Sequence, residues 1–123
     1  MTKIVVDCGN CGPDFNSIRQ MLKSSFNVKV VQTHGAEDTL AALKQQDVAL
    51  VTVNRKLDRD YTDGLEVIRT LKADPEVADV PVMLVTNYDE HQDTAVAEGA
   101  IRGFGKLSLN DPQTQERLQA VLG

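Results

Sequence analysis

The residues able to do chemistry in this 123-residue chain fall at a few separate places along it. An acid and a thiol adjoin at Asp7-Cys8, and a second thiol follows at Cys11 in a C-x-x-C spacing. Asn54 ends an apolar run and opens a dense polar stretch, Arg55-Lys56-Leu57-Asp58-Arg59-Asp60. Thr86 closes the run Val82–Val85, and Lys106 follows Gly103-Phe104-Gly105. Two thiols between a strand and a helix can support disulfide exchange, because a helix N-terminus lowers a thiol pKa. With Asp7 and His34 the same sulfurs could also be offered to a metal. Pro13 weighs against the redox reading. It suits the first turn of a helix, so that helix begins after Cys11 and leaves both sulfurs outside it. Free thiols in a reducing compartment are the preferred reading.

The elements that must position these groups are legible from periodicity. Lys3–Asp7, Val28–Val31, Val48–Val53, Pro81–Thr86 and Ile101–Gly105 read as strands, the third a short β-branched run interrupted only by Thr52. Between them lie helical stretches. Phe15, Ile18 and Leu22 share one face, Leu40 and Leu43 another, then Leu65, Ile68 and Leu71, and finally Leu118, Val121 and Leu122. Asp63 is placed to cap the helix starting at Gly64, Asp74-Pro75 ends it, and Gly99 closes the helix of residues 89–98. Alternating β-α units of this length predict an α/β fold, a doubly wound five-stranded parallel sheet with helices on both faces. Strand order 2-1-3-4-5 is taken by analogy with the commonest flavodoxin-like solution. Ligand crevices of such sheets lie beyond the C-terminal strand ends, where Asp7, Cys8, Asn54, Thr86 and Lys106 should converge.

Composition narrows the function. With 41% hydrophobic and 25% charged residues the chain is ordinary globular protein, read as one domain over residues 1–123. A net charge of −5 and an aromatic content of 4% disfavour a nucleic-acid surface. No apolar run is long enough to span a membrane, and the first residues lack the apolar core of a signal peptide, so a cytoplasmic protein is expected. His34 and His91 read as exposed, and Arg55-Lys56 as a solvated loop tip. Asp58, Asp60 and Asp63 read as loop charges, Asp63 doubling as the cap.

From end to end the chain resembles the receiver domain of two-component response regulators. Ile4-Val5-Val6-Asp7-Cys8 is similar to that family's first strand, Asp63-Gly64-Leu65-Glu66-Val67-Ile68-Arg69-Thr70-Leu71-Lys72 to its third helix, Pro81–Thr86 to its fourth strand with the switch Thr, and Glu98–Lys106 to its fifth strand with the invariant Lys. The resemblance implies phosphotransfer from a histidine kinase to an aspartate ending the third strand, assisted by Mg²⁺ on paired acids and by the Thr and Lys. It implies protein partners in a phosphorelay, docked on the face formed here by residues 89–123.

Against that pattern the departures are chemical. Asn54 stands at the acceptor position, and a carboxamide is neither an anionic nucleophile nor able to form an acyl phosphate. Cys8 replaces the second acid, and a thiol is a poor ligand for a hard ion. Gly103 occupies the place of an aromatic that rotates on activation, and the loop from Asn54 to Gly64 is about two residues longer than usual and lacks its proline. The expectation is therefore a degenerate receiver with Mg²⁺ binding lost or weak. It would be a phosphorylation-independent interaction module and not an enzyme, with Asp7 facing Lys106 and Asn54 bridging them. The alternatives are a thiol sensor using Cys8 and Cys11, or a receiver phosphorylated at a loop acid such as Asp58, Asp60 or Asp63.

Overall fold

Each β-branched run becomes a strand and each periodic stretch a helix. The structure is a computed structural model that describes residues 2–123. The elements run β1 (Lys3–Cys8), α1 (Gly12–Ser25), β2 (Val28–Thr33), α2 (Ala36–Gln45), β3 (Val48–Asn54), α3 (Gly64–Ala73), β4 (Val82–Val85), α4 (Asp89–Ala97), β5 (Ile101–Phe104), a 3₁₀ turn (Lys106–Ser108) and α5 (Pro112–Leu122). The strands form one parallel sheet in the order β2-β1-β3-β4-β5, as expected. Among the described residues no helix is long and apolar enough to cross a membrane.

Strand alternation sorts the core into two layers. Val5, Leu50, Met83, Val85 and Phe104 pack with Ile18, Leu22 and Leu118 from α1 and α5. Val6, Cys8, Val51, Val53 and Leu84 pack with Leu43, Val67, Ile68, Leu71 and Ala95 from α2, α3 and α4. Both faces are covered, which is why the strands read as continuous apolar runs. Burying a side chain such as Leu50 or Ile68 contributes roughly 1.5–3 kcal/mol each. Two inward positions differ from the periodicity. In α2 the fully buried residue beside Leu43 is Thr39, with Leu40 only half-buried, and in α3 it is Val67 rather than Leu65. Thr39 tolerates burial because its hydroxyl meets that of Thr33 at 2.7 Å. Helix α1 starts one residue before Pro13, with Cys11 as its N-cap residue.

The last step of the sheet is not an ordinary ladder. Met83 pairs with Ile101 and Val85 with Phe104, so β5 carries one residue more than β4 over this stretch. The side chain of Gln92, from α4, fills the irregularity. Its Oε1 accepts the Gly103 N–H at 2.8 Å, while its Nε2 donates to Leu84 O at 2.9 Å and to Thr86 O at 3.4 Å. A Cβ at residue 103 would overlap the Leu84 carbonyl oxygen, so only glycine fits there. Helix α4 is thereby hydrogen-bonded to two strands through one buried amide.

Candidate functional site

The ends of β1, β3, β4 and β5 share one edge of the sheet, and alternation decides which side chains meet there. Asp7 and Thr52 are register partners and lie on the α1/α5 side with Val5 and Leu50. Cys8, one residue on, turns to the opposite face. It is fully buried in the α2/α3/α4 layer, with Sγ 3.7 Å from the Gly35 carbonyl oxygen. Burial pushes its thiol above the ordinary range, so it stays protonated. Cys11 is half-buried, and both cysteines are free thiols.

Asp7 is completely buried. Its Oδ1 accepts the Thr52 hydroxyl at 2.7 Å and the Asn10 amide at 2.8 Å. Its Oδ2, and the Oδ1 of the equally buried Asn10, have no hydrogen-bond partner among the described residues. Desolvation pushes the Asp7 carboxyl up to about 6, while the Thr52 and Asn10 hydrogen bonds and the Lys106 charge pull it down. A proton on Oδ2 would supply the donor that these two oxygens lack.

Lys106 does not form the ion pair with Asp7 that the sequence suggests. Its Nζ lies 2.7 Å from Asp14 Oδ2, since Asp14 in the first turn of α1 offers a part-exposed carboxylate while that of Asp7 is fully buried. The Lys106 hydrogen bond holds the Asp14 carboxyl below its usual range. Asn54 does not bridge Asp7 and Lys106 either. Its Nδ2 donates to Lys56 O at 2.7 Å and to Gly9 O at 3.2 Å, so the amide is committed to two backbone carbonyls. Thr86 Oγ1 shares a hydrogen bond of 3.1 Å with His91 Nδ1 and accepts weakly from the Tyr88 N–H at 3.4 Å. His91, read from sequence as exposed, is half-buried because of this contact.

The long loop after β3 is a folded hairpin. Lys56 and Asp63 form an antiparallel bridge, Leu57 N–H donates to Thr62 O, and Asp58 N–H donates to Gly9 O. Leu57, the one apolar residue in a charged stretch, is 2% exposed and pins the hairpin onto Gly9. Gly9 has φ +82°, and a Cβ there would overlap the Leu57 side chain. Tyr61 takes a left-handed φ of 60° at the outer end and is exposed. Asp63 caps α3 by accepting the Leu65 N–H at 3.0 Å, as the spacing implied, while Asp58 and Asp60 are exposed, with Asp60 Oδ1 accepting the Thr62 N–H at 3.0 Å.

The donor set fits a divalent ion poorly. Asp7 supplies one carboxylate, the Cys8 thiol is turned into the core, and Asn54 presents N–H groups rather than oxygens to its neighbours. Among the described residues no group of three or more His, Cys, Asp or Glu side chains is placed to share a metal ion. Sequence reasoning missed Asn10, Thr52 and His91. The signal for Thr52 was present, as the only hydroxyl in an otherwise apolar central strand.

Comparison with known proteins places this geometry. The family model described as the response regulator receiver domain matches residues 14–118. No curated protein sequence matches. Among solved structures, the chain is similar to a protein described as a response regulator from Chloroflexus aurantiacus, with TM-score 0.84 and 11% identity over 98% of each chain. It is similar to the chemotaxis protein CheY4 of Vibrio cholerae, with TM-score 0.76 and 15% identity over 99% of this chain and 100% of that one. It is also similar to the response regulator Rcp1 in its Mn²⁺-bound form, with TM-score 0.68 and 18% identity over 97% and 91%. At these identities the solved structures speak to the fold alone; the family match covers most of the chain, which belongs to the response regulator receiver domain family.

Proposed function

We propose that this receiver domain works without phosphorylation, as a protein-interaction module of a two-component-type pathway, and that it is not an enzyme. The observation that carries this reading is the Asn54 amide, which donates to both Gly9 O and Lys56 O at the phosphoacceptor position. A carboxylate there would face those two carbonyl oxygens and would need a cation between them; the amide supplies the donors itself. The positions corresponding to the family's phosphoryl ligands have other partners, Thr86 with His91 and Lys106 with Asp14. Gln92 supports the same reading, since α4 and β5 are joined by buried hydrogen bonds where a receiver usually carries a rotating aromatic. Partners dock, on this reading, on the face of α4, β5 and α5, residues 89–123.

The test is intact-mass measurement after incubation with acetyl phosphate and Mg²⁺, on the wild type and on Asn54→Asp. No phosphate on the wild type is expected. A labile phosphate on Asn54→Asp would show that only the acceptor was lost, whereas phosphate on the wild type overturns the proposal and directs attention to Asp58 and Asp60. Millimolar Mg²⁺ is expected to leave the wild-type melting temperature unchanged, because ligand binding to the folded state would raise it. The thiol-sensor alternative is disfavoured by the complete burial and raised pKa of Cys8, since exchange requires an accessible thiolate.

A further inference from the structure

By sequence Cys8 stands in for the second acid beside Asp7, but strand alternation sends it elsewhere. Asp7, Thr52 and Asn54 present their side chains on one face of the sheet. Asp7 and Thr52 are register partners joined at 2.7 Å, and Asn54 follows Thr52 by two residues in β3. Cys8 pairs with Val53, and both are fully buried in the α2/α3/α4 layer. Any side chain at position 8 thus starts on the far face of the sheet from Asp7.

The side chain that does meet Asp7 is Asn10. Its Nδ2 donates to Asp7 Oδ1 at 2.8 Å, alongside the Thr52 hydroxyl, and it is as buried as the acid. The backbone on either side is tied down. Gln32 Nε2 donates to Asn10 O at 3.1 Å, while Gly9 gives its N–H to Thr33 O and takes the Asp58 N–H on its own carbonyl, both at 2.9 Å. A further carboxylate, Asp14, is engaged by Lys106. Asp7 Oδ2 and Asn10 Oδ1 have no partner among the described residues but are closed off from solvent. A hard dication keeps several waters and asks for a near-octahedral set of oxygens, which two enclosed oxygens do not provide.

We infer that Asn10, and not Cys8, is the residue that keeps the Asp7 carboxylate from taking a divalent cation. Its amide hydrogen satisfies the one acid that a cation would need. The inference rests on the reading of this chain as a receiver without phosphotransfer chemistry, and names the side chain that closes one part of it. A carboxylate at position 10 therefore opens this edge to metal, whereas one at position 8 does not.

The experiment is thermal melting of the wild type, Asn10→Asp, Cys8→Asp and Cys8→Ser at pH 8, in about 10 mM MgCl₂ and in NaCl of equal ionic strength. Asn10→Asp should melt several degrees below the wild type in NaCl, because two carboxylates then adjoin without a donor between them. Mg²⁺ should raise its melting temperature by roughly 5 °C, the shift that suits a dissociation constant of about 1 mM in a domain of this size. If the variant is unfolded in NaCl, Mg²⁺ should fold it. The wild type should not respond. Cys8→Asp puts a charge into an apolar layer and should lose stability without rescue by Mg²⁺. Cys8→Ser, a near-isostere offering a hard oxygen, should melt alike in both salts and keeps the comparison open if Cys8→Asp does not fold. In ¹⁵N-labelled Asn10→Asp, sub-stoichiometric Mn²⁺ should broaden the amide signals of Gly9, Cys11 and Thr52. No Mg²⁺ response in Asn10→Asp overturns the inference, as does a response in either Cys8 variant or Mn²⁺ broadening centred on Asp58 and Asp60. Phosphate found on the wild type would sink the previous section's reading, a result read by mass and independent of how Asn10→Asp melts.

Discussion

Two buried side-chain amides stand near the same edge of the sheet and end up in opposite conditions. Gln92 is 4% exposed and Asn10 is 1% exposed, so neither can rely on bulk water. Gln92 lies among neutral backbone groups and uses both ends, accepting from Gly103 and donating to Leu84 and Thr86. Asn10 lies beside a carboxyl and uses only its nitrogen, leaving its own oxygen and Asp7 Oδ2 without donors. A buried amide stabilises when its surroundings offer one donor and one acceptor, and an acid next to it breaks that balance. The β4–β5 end is therefore built for rigidity, and the β1–β3 end keeps an unresolved electrostatic penalty at Asp7.

Removing Gln92 tests the first half of this contrast and carries the largest expected effect. Gln92→Leu leaves the Gly103 N–H and the Leu84 carbonyl buried and unpaired, which should cost about 2–4 kcal/mol in urea unfolding. Gly103 amide exchange should accelerate in the same variant. A loss below about 0.5 kcal/mol would mean that the strands close on each other without the side chain.

The second half is tested at Asp7. Its folded pKa of about 6 lies above the ordinary carboxyl value of 3.8, so the folded state binds the proton more tightly. Stability from this group therefore rises as pH falls from about 7 towards 4, is level below that, and is absent above about 7. Asp7→Asn should remove this slope and put an N–H₂ where Oδ2 has no donor. A gain of roughly 2 kcal/mol at pH 8 is expected, with little difference from wild type near pH 4. Equal stability of the two proteins at pH 8 would show that Asp7 is relieved there by another route.

Asn54→Asp brings the penalised chemistry to β3 as well. Without divalent ions it should destabilise by about 1–2 kcal/mol, because a carboxylate replaces donors to Gly9 O and Lys56 O. Millimolar Mg²⁺ should reverse part of the loss, read as a rise in melting temperature that the wild type lacks. The smallest effect is expected at Tyr61. Relief of its left-handed backbone in Tyr61→Gly should gain up to about 0.5 kcal/mol, since glycine's own entropic penalty offsets most of the strain.

The fold was legible because its signals are local and redundant. Apolar runs at Val48–Val53 and Val82–Val85, the cap at Asp63 and the stop at Asp74-Pro75 each constrain the same β-α rhythm. The site was legible by position but not by contact. That Asp7, Asn54, Thr86 and Lys106 share an edge follows from topology; whom each one bonds depends on angstrom-scale choices made by neighbours. Lys106 turned to Asp14 because α1 offers a part-exposed carboxylate, and Thr86 found His91 because the first turn of α4 brings the imidazole down. Gln92 carried no visible signal, since a polar residue on a helix reads as solvent-facing until the missing ladder bond beneath it is seen.

Gly103 is difficult to replace. Any larger residue there would have to add a Cβ against the Leu84 carbonyl oxygen while Gln92 still holds the N–H of residue 103. Releasing Gln92 first leaves two buried polar groups unpaired, so either order of steps passes through a less stable intermediate. One helix glutamine and one strand glycine thus constrain each other, so that neither is replaced alone without loss of stability.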